Sequence, residues 1–293
     1  MTLPKVSIVI PSYKTGHFEQ CLKSAIGQTY SNIEILVSDN CATEEIRNIS
    51  AQYPSVIYQR NSQVREKNVL SAFFSGKGEY IKPLFDDDIL HPFCVERMVA
   101  VMTMRSDIEL VFSASQVINA DNERTKQRRP YEASGYLTGR DLQRSMALGM
   151  RNIVGEFSSI MFRREKLWEI GWQRLFMVGK HDFTLGLADV AAYCNLAADG
   201  AAFYIDEELS YFRHDQRLQS NSNPDSNPNF GYCFSDYIDL LIASHQGKVI
   251  TTTELLEMQE SVMSVNSKLR EMFEQVGHSY ERYLAYTGKL IPD

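Results

Sequence analysis

The chain has 293 residues, of which 44% are hydrophobic and 11% aromatic, so it carries enough apolar material for a large buried core. Its formal net charge of −7 argues against the broad basic surface of nucleic-acid binders, and no nucleic-acid partner is expected. The five cysteines are odd in number and widely spaced, which predicts reduced thiols in a cytoplasmic protein and no cysteine metal site.

The first 118 residues alternate between short segments rich in Val and Ile and segments with helical periodicity. This alternation is typical of an α/β domain with a mostly parallel sheet. The apolar segment at residues 6–12 is too short to span a membrane and lacks the features of a signal peptide, so it is predicted to be the first strand. The other predicted strands cover residues 33–39, 56–59, 80–85 and 108–118. The predicted helices lie near residues 18–28, 43–52, 65–75 and 93–104.

Residues 119–152 are mostly polar and are predicted to form a surface excursion. Its basic cluster is interpreted first as a solvated loop, with contact to an anionic acceptor as the alternative. That cluster consists of Arg124, Lys126, Arg128 and Arg129. Apolar patterning resumes at residues 157–172, where the helical spacing of Trp168 and Trp172 favours the core over a sugar-stacking surface. A helix near 184–198 and a strand over 201–212 follow.

The C-terminal part is predicted to be helical. Residues 219–231 are rich in Asn, Ser, Pro and Gly, which predicts a boundary between a domain over residues 1–222 and a helical extension over residues 223–293. In the extension, apolar residues recur at alternating steps of three and four, a heptad seam. The seam consists of Leu255, Met258, Val262, Val265, Leu269, Met272 and Val276. Two interpretations stay open: the helix packs on its own domain, or it forms a homodimer.

Three adjacent carboxylates, Asp86, Asp87 and Asp88, directly follow the apolar strand at residues 80–85. Like charges at this spacing repel one another, so something must offset the cost of keeping them ionised. A hard divalent cation is the simplest compensator, because carboxylate oxygens are its preferred ligands. Magnesium bound in this way completes its shell with water and with phosphate oxygens of a substrate.

An ordered set of segments resembles glycosyltransferase family 2, the inverting nucleotide-sugar transferases with the GT-A fold. The segments are VSIVIPSYK, SAIGQTYSNIEILVSDN, YIKPLFDDDIL, FSSIMFRREKLWEIGW and ADVAAYCNLAADGAAFYIDEELSYFRH. The resemblance extends over about residues 4–222. It implies an α/β GT-A fold, a Rossmann-like and mostly parallel sheet flanked by helices, with an α-helical C-terminal extension. Residues 1–118 would form the nucleotide-sugar-binding half and residues 119–222 the acceptor-binding half.

The resemblance also implies roles for residues of the donor site. Pro11 and Tyr13 correspond to residues that pack on the nucleobase. Asp39 corresponds to a carboxylate that accepts hydrogen bonds from the base or ribose, with a helix cap as its alternative role. The triplet resembles the Asp-x-Asp motif of the family, although Phe85 stands where many relatives have the first Asp. Asp86 and Asp87 are therefore expected to contact the donor, and Asp87 and Asp88 to hold the metal.

Two residues near the end of this region are expected to complete the donor site. His214 resembles the late histidine of the family and is expected to contact the metal or the diphosphate. The family often has one residue between Arg and His, whereas Arg213 and His214 are adjacent here. Arg213 would suit the diphosphate, and a salt bridge within the fold is the alternative.

The proposed general base is Asp189, at the second acid of the Glu-Asp pair of the family. Ala188 stands in the place of the first acid. A carboxylate in reach of an acceptor hydroxyl can take its proton as the oxygen attacks the sugar. The alternative for Asp189 is an ordinary charge near a helix start. Three weaker candidates for the acceptor pocket are Glu156, His181 and Asp182.

The resulting prediction is a metal-dependent inverting glycosyltransferase that uses Mn²⁺ or Mg²⁺ and a nucleoside-diphosphate sugar, with uridine favoured. The expected acceptor is a saccharide or lipid-linked saccharide in bacterial surface polysaccharide or glycoconjugate synthesis, with peripheral association at the inner face of the membrane. A dinucleotide-dependent oxidoreductase is disfavoured because PSYKTG has one glycine where three are needed. A phosphohydrolase with an aspartyl nucleophile remains a distant alternative. The alternative from another class is a non-catalytic nucleotide-sugar-binding or assembly subunit that works through its helical tail.

Overall fold

The computed structural model describes residues 3–63, 66–215 and 227–290. The contacts divide the chain into two compact units. The first comprises Met1–Leu137, Val154–Trp172 and Asp199–Asp215, and the second comprises Thr138–Ile153, Gln173–Ala198 and Gln216–Asp293. Two segments that the sequence assigns to the region before residue 222 thus group with the C-terminal helices. The predicted boundary between residues 222 and 223 lies outside the described residues.

The elements follow the predicted alternation closely in the first half of the chain. The strands are β1 (Val6–Ser12), β2 (Ile33–Asp39), β3 (Val56–Arg60), β4 (Tyr80–Pro83), β5 (Ile89–Leu90), β6 (Ile108–Ile118), β7 (Arg124–Arg128), β8 (Gly135–Thr138), β9 (Ile160–Arg163), β10 (Met177–Val178), β11 (His181–Asp182) and β12 (Ala201–Arg213). The helices are α1 (Phe18–Ile26), α2 (Glu45–Ser50), α3 (Glu66–Ser75), α4 (Cys94–Met102), α5 (Gly139–Gly149), α6 (Arg164–Ile170), α7 (Ala188–Ala197), α8 (Tyr232–Gln246), α9 (Thr252–Glu257), α10 (Gln259–Leu269) and α11 (Glu274–Thr287).

The first unit is built on a central sheet with the strand order β3-β2-β1-β4-β9-β6-β12-β5. The pairs β3-β2, β2-β1, β1-β4 and β6-β12 are parallel, whereas β9 and β5 run antiparallel to their neighbours. In the parallel register Ser12 lies opposite Asp39, and Asp39 lies opposite Arg60. The carboxyl ends of these strands therefore meet at one edge, where polar side chains collect as predicted.

Burial explains why these segments form the sheet and its covering helices. All seven residues of β1 are buried, as expected for a parallel strand that is covered on both faces. On α1 the buried residues Phe18, Cys21, Leu22 and Ala25 recur at steps of three and four, so a single helix face enters the core. Each of these helices thus buries one face and leaves its opposite face to solvent.

In its described residues, the second unit has helices and one small antiparallel pair, β10 with β11, as regular structure. Helix α5 begins at Thr138, whose side chain accepts a hydrogen bond from the amide of Asp141. It approaches α7 so closely that a Cβ atom at Gly139 would lie 1.8 Å from the carbonyl oxygen of Ala197. Helix α8 contacts α5 and α11, and α11 also contacts α10.

The prediction of one continuous heptad helix is wrong, because three helices, α9, α10 and α11, share the seam. Leu255, Val262 and Val276 are buried, whereas Met272 is 70% exposed at the break before α11. Phe273 follows in an extended conformation, and its ring lies 6.2 Å from that of Phe234 on α8. This tertiary contact redirects the chain, which a heptad pattern cannot indicate. The C-terminal helices pack within their own unit, and dimerisation stays a prediction.

The polar excursion at residues 119–152 contains regular structure that the sequence did not indicate. Strand β7 pairs antiparallel with β6, although its side chains are mostly exposed. Three arginines of the basic cluster form ion pairs within the first unit: Arg124 with Glu208, Arg128 with Glu156 and Arg129 with Asp206. Residues Gly139–Gly149 form α5. Paired charges and backbone hydrogen bonds thus order a segment whose composition resembles a loop.

The prediction that both tryptophans belong to the core is wrong. Trp168 is 54% exposed and Trp172 is 40% exposed. Both rings contact Phe74 on α3, with centroid distances of 5.2 Å and 5.5 Å. The two rings thus lie beside the same phenylalanine, although Trp168 is on α6 and Trp172 lies beyond its end. Among the described residues, no helix is both long enough and apolar enough to cross a membrane.

Candidate active site

The turn after β4 carries the acidic triplet, and all three of its side chains are buried. Asp86 is held from the end of β1, because its Oδ2 accepts hydrogen bonds from the amides of Tyr13 and Lys14, both at 2.7 Å. The end of β1 and the turn after β4 come together because these two strands are parallel neighbours. The sheet therefore sets the orientation of Asp86.

Asp87 is paired with a cation. The Nζ atom of Lys14 lies 2.6 Å from Asp87 Oδ2, and both side chains are largely buried. Burial lowers the pKa of Lys14, but the two carboxylates Asp87 and Asp86 outweigh this and raise its pKa above the usual value. Lys14 is thus a fixed positive charge that offsets part of the triplet's repulsion.

Asp88 faces the interior of the first unit. Its Oδ2 accepts a hydrogen bond of 2.5 Å from Ser158 Oγ, and its Oδ1 accepts one of 2.9 Å from the amide of Arg213. The fully buried Lys82 donates to the carbonyl oxygens of Pro83 and Ser158. Lys82 and Ser158 therefore stabilise the turn through hydrogen bonds on its buried side.

The triplet retains an excess of negative charge despite these donors. Burial, followed by repulsion from Asp87, raises the pKa of Asp86 to about 7. The same two causes raise the pKa of Asp88 to about 7, although Ser158 and the amide of Arg213 oppose them. A bound cation would relieve this charge, since its charge reverses the local penalty.

The donor chemistry of the triplet fits a hard cation that is held by two carboxylates. Within residues 3–63, 66–215 and 227–290, Oδ1 of Asp86 and Oδ1 of Asp87 accept no hydrogen bond. Both oxygens of Asp88 are engaged, so Asp86 and Asp87 fit a cation better than the predicted pair of Asp87 and Asp88. No three His, Cys, Asp or Glu side chains in the described part of the chain converge as metal ligands. This arrangement suits magnesium, which is commonly held by one or two carboxylates together with water and phosphate.

Asp39 lies fully buried at the end of β2. Its Oδ2 accepts hydrogen bonds from Tyr58 Oη at 2.6 Å and from Arg60 at 2.7 Å, while its Oδ1 accepts one from the amide of Cys41 at 2.7 Å. The last bond closes a turn after β2. Helix α2 begins at Glu45 with Glu44 at its N-cap position, so the alternative role of Asp39 as a helix cap is wrong. Arg60 and Tyr58, on β3, were not identified from the sequence.

Arg213 is 3% exposed, and within the described residues the acceptors of its side chain are oxygens of the first unit. Its Nε donates to the carbonyl oxygen of Asp87 at 2.8 Å, which fixes the triplet's backbone. The other donors bond to Gln20, Asn119, Ala120 and Asn122. In the described residues Arg213 is thus held by hydrogen bonds to neutral oxygens and not by the salt bridge that was its alternative role, and its contact with a diphosphate stays a prediction.

The remaining donor-site candidates lie in the same unit. Pro11 is buried near the end of β1, whereas the side chain of Tyr13 is 49% exposed and can meet a ligand. His214 is exposed, and its backbone amide bonds to the carbonyl oxygen of Ile118. Beside it, Asp215 bonds to His17 at 3.2 Å. All the predicted donor-site residues thus lie in the first unit. Among them, Asp39 accepts hydrogen bonds from side chains of β3.

Asp189 lies in the second unit, in the first turn of α7. Its Oδ2 accepts a hydrogen bond of 2.7 Å from the side-chain amide of Asn152, and its Oδ1 accepts one of 2.8 Å from the amide of Val190. His181 and Asp182 form β11 in this unit, whereas Glu156 lies in the first unit as the ion-pair partner of Arg128. The three weaker acceptor-pocket candidates therefore do not share one unit.

Several residues that shape the site escaped the sequence reasoning. Lys14 follows Tyr13 in the segment VSIVIPSYK. Its positive charge at the end of the first strand could have indicated a partner for the acidic triplet. Ser158 and Asn152 are distant in sequence from the carboxylates that they contact, and Lys82 is distant from Ser158, to whose carbonyl oxygen it donates. Only the folded chain brings these pairs together.

A profile of the family described as "Glycosyl transferase family 2" matches residues 7–171, more than half of the chain. The chain belongs to glycosyltransferase family 2. It is therefore a glycosyltransferase, and the predicted mixed α/β GT-A fold with C-terminal helices is confirmed.

Relatives of the glycosyltransferase support this assignment. An uncharacterized glycosyltransferase of Haemophilus influenzae is 24% identical over 76% of this chain and 72% of its own length. Chondroitin synthase of Escherichia coli is 29% identical over 41% of this chain, but only 18% of that longer protein is aligned. The crystal structure of Staphylococcus aureus TarS 1-349 in complex with UDP-GlcNAc has a TM-score of 0.67 and 12% identity, covering 97% of this chain and 81% of that one. At this identity the structural likeness concerns the fold alone.

Asp236 is a further buried carboxyl of the second unit, and its titration should be visible in the stability of the protein. Burial, reinforced by Asp239, raises the pKa of Asp236 to about 7. Between about pH 4 and pH 7 the folded chain therefore keeps a proton on Asp236 that the unfolded chain has already released. The contribution of Asp236 to the free energy of unfolding is fully present below about pH 4 and is lost as the pH rises through about 7. We expect Asp236→Asn, which cannot ionise, to exceed wild type in free energy of unfolding by on the order of 2 kcal/mol at pH 8 and to match it near pH 4. Urea denaturation at both pH values measures this, and an equal difference at both would contradict it.

Proposed function

We propose that this glycosyltransferase is a metal-dependent inverting enzyme that transfers a sugar from a nucleoside-diphosphate sugar, with UDP favoured, to an acceptor hydroxyl. The observation that carries the proposal is the buried triplet at the carboxyl ends of the parallel strands, with Oδ1 of Asp86 and Asp87 free of hydrogen bonds in the described residues. Buried carboxylates with raised pKa values favour a site that takes up positive charge.

The proposed donor site uses residues of the first unit. Asp86 and Asp87 would hold a divalent cation, which neutralises charge on the leaving diphosphate when it is bound. The half-exposed ring of Tyr13 would pack on the nucleobase, and Asp39 would contact the base or ribose in exchange for one of its present donors. His214 is exposed and would contact the diphosphate.

The proposed reaction is a single displacement in which Asp189 acts as general base. Its carboxylate takes the proton of the acceptor hydroxyl as the oxygen forms a bond to the anomeric carbon of the sugar. The bond from that carbon to the diphosphate oxygen breaks, and the nucleoside diphosphate leaves with the electron pair. Because the attack is opposite to the leaving group, the anomeric configuration inverts.

The proposed setting is bacterial surface polysaccharide or glycoconjugate synthesis, with a saccharide or lipid-linked saccharide as acceptor on the cytoplasmic side of the membrane. The solved structures of TarS with UDP-GlcNAc and with UDP support a uridine nucleotide as the first donor to test. Chondroitin synthase, among the relatives, supports a polysaccharide product.

A thermal-shift panel of nucleoside diphosphates and their sugars, with and without Mn²⁺, tests the proposal. A ligand that binds only the folded chain stabilises it by RT ln(1 + [L]/Kd), about 2.7 kcal/mol at a hundredfold excess over Kd. We expect a uridine nucleotide with Mn²⁺ to raise Tm by several degrees, and either component alone to raise it less. If no nucleotide shifts Tm, the donor assignment is wrong. If a donor binds but is neither hydrolysed nor transferred, the non-catalytic alternative is favoured.

A further inference from the structure

The segment that carries Asp189 is held by hydrogen bonds to two side chains from outside α7, Asp236 and Asn152, which we call the clamp. Helix α7 begins after Leu187, and Leu187 provides no side-chain cap for the first amides of the helix. The first four amides of a helix have no partner within the helix and need an acceptor from elsewhere. Asp236 of α8 supplies one, because its Oδ2 accepts a hydrogen bond of 3.0 Å from the amide of Leu187.

Asp236 is suited to accept this hydrogen bond because it is buried and its second oxygen is close to a hydroxyl group. It is 4% exposed, and Ser235 Oγ lies 3.4 Å from its Oδ1. The chain before Leu187 runs directly against α8, since a Cβ atom at Gly186 would lie 2.4 Å from Asp236 Oδ2 and 2.5 Å from the carbonyl oxygen of Tyr232. Only a glycine allows this approach, so the clamp requires Gly186.

Asn152 provides the second contact, directly on the carboxylate. It follows the end of α5, where Met150 adopts a left-handed conformation with φ of 44° and turns the chain. Its side-chain amide donates to Asp189 Oδ2 at 2.7 Å. Because the amide of Val190 holds Oδ1, both oxygens of Asp189 have a fixed direction.

We propose that Asp236 and Asn152 are positioning residues for Asp189, Asp236 through the backbone of Leu187 and Asn152 through its side-chain amide. The inference rests on the proposed role of Asp189 as the base. Ala188 stands where the resembling family has the first acid of its Glu-Asp pair, so this chain lacks that neighbour and holds the base from α8 and from the end of α5 instead. Neither residue takes the proton, and their effect is on the geometry with which Asp189 meets the acceptor hydroxyl.

A matched pair of substitutions separates the hydrogen bond from the packing. Asp236→Leu fills a similar volume but accepts no hydrogen bond, whereas Asp236→Asn keeps an oxygen that can accept from Leu187. We expect kcat to fall at least tenfold in Asp236→Leu, with the Kd for UDP-sugar and Mn²⁺ unchanged within twofold, and Asp236→Asn to recover most of that loss. Asn152→Leu, which removes the donor to Asp189, should show the same separation of kcat from donor affinity.

Hydrogen exchange at the amide of Leu187 tests the clamp without any activity. We expect exchange of this amide to accelerate at least tenfold in Asp236→Leu relative to Asp236→Asn, while the amides in the centre of α8 exchange at equal rates in both. Equal exchange at Leu187 in both variants overturns the clamp. Circular dichroism below Tm verifies that each variant is folded.

The outcomes distinguish this inference from the proposed function. If Asp189→Asn abolishes transfer but Asp236→Leu and Asp236→Asn have equal kcat, the positioning role is wrong and the base assignment stands. If Asp189→Asn transfers at the wild-type rate, the base assignment is wrong, and the positioning role falls with it even where the exchange data support the clamp.

Discussion

Asp189→Asn is expected to reduce the transfer rate by about 10²–10⁴-fold while donor binding stays within twofold of wild type. An amide has the same shape as the carboxylate and its oxygen can still accept from Asn152, but it cannot take the acceptor's proton. The loss should therefore appear in kcat. Measurement of initial transfer rates, together with calorimetric titration of the UDP-sugar, separates chemistry from binding.

Glu260→Gln is the matched control, since it makes the same change of carboxylate to amide at an exposed position on α10 of the same unit. It should leave both rate and binding unchanged. A wild-type rate in Asp189→Asn would show that another group removes the proton. Loss of donor binding together with transfer would instead indicate a structural role for the start of α7.

Substitution of Asp87 by Asn is expected to reduce metal-dependent donor binding and transfer by about 10²–10³-fold. The change removes one of the two carboxylates with an oxygen free of hydrogen bonds in the described residues, and an amide is a poor substitute as ligand for a hard cation. It also removes the anion that pairs with Lys14, so some loss of stability is expected as well. Chelation of the metal from wild-type protein should reproduce the loss of transfer, and added Mn²⁺ should restore it.

Asp107→Asn is the matched control for Asp87→Asn, because it makes the same change at a surface carboxylate of the first unit, where Asp107 pairs with Arg105. Its donor affinity should equal that of wild type with and without Mn²⁺. Thermal melting without ligand separates the stability loss of Asp87→Asn from its binding loss. If Asp87→Asn binds the donor with an unchanged dependence on Mn²⁺, the cation is held elsewhere.

The partners of the acidic triplet come from three segments that are distant in sequence. The amides of Tyr13 and Lys14 hold Asp86, the side chain of Lys14 pairs with Asp87, and Ser158 and the amide of Arg213 hold Asp88. They leave one oxygen of Asp86 and one of Asp87 for a ligand in the described residues. Carboxylate oxygens thus remain available where a cation is proposed, whereas both oxygens of Asp88, which faces inward, accept hydrogen bonds.

The C-terminal helices and the two tryptophans show what hydrophobic periodicity in the sequence could not predict about the structure. The heptad spacing indicated which faces are apolar, and Leu255, Val262 and Val276 are indeed buried. It could not indicate that Phe273 packs with Phe230 and Phe234, a contact that ends one helix and starts another. Trp168 lies on α6 and Trp172 lies beyond its end, and both rings contact Phe74. Whether such side chains meet solvent depends on what the rest of the fold covers.

The sequence by itself determined the alternating strands and helices of the first half, the family, and the collection of Asp39 and the acidic triplet at one edge of the sheet. These features follow from local periodicity and from the rule that parallel strands present their carboxyl ends together, and both can be read without coordinates. Only the tertiary structure decided which carboxylate oxygens remain free and which donors hold Asp88, Asp39 and Asp189. Those partners come from segments far apart in the chain, and hydrogen-bond geometry at about 3 Å is fixed only when the packed elements bring them together.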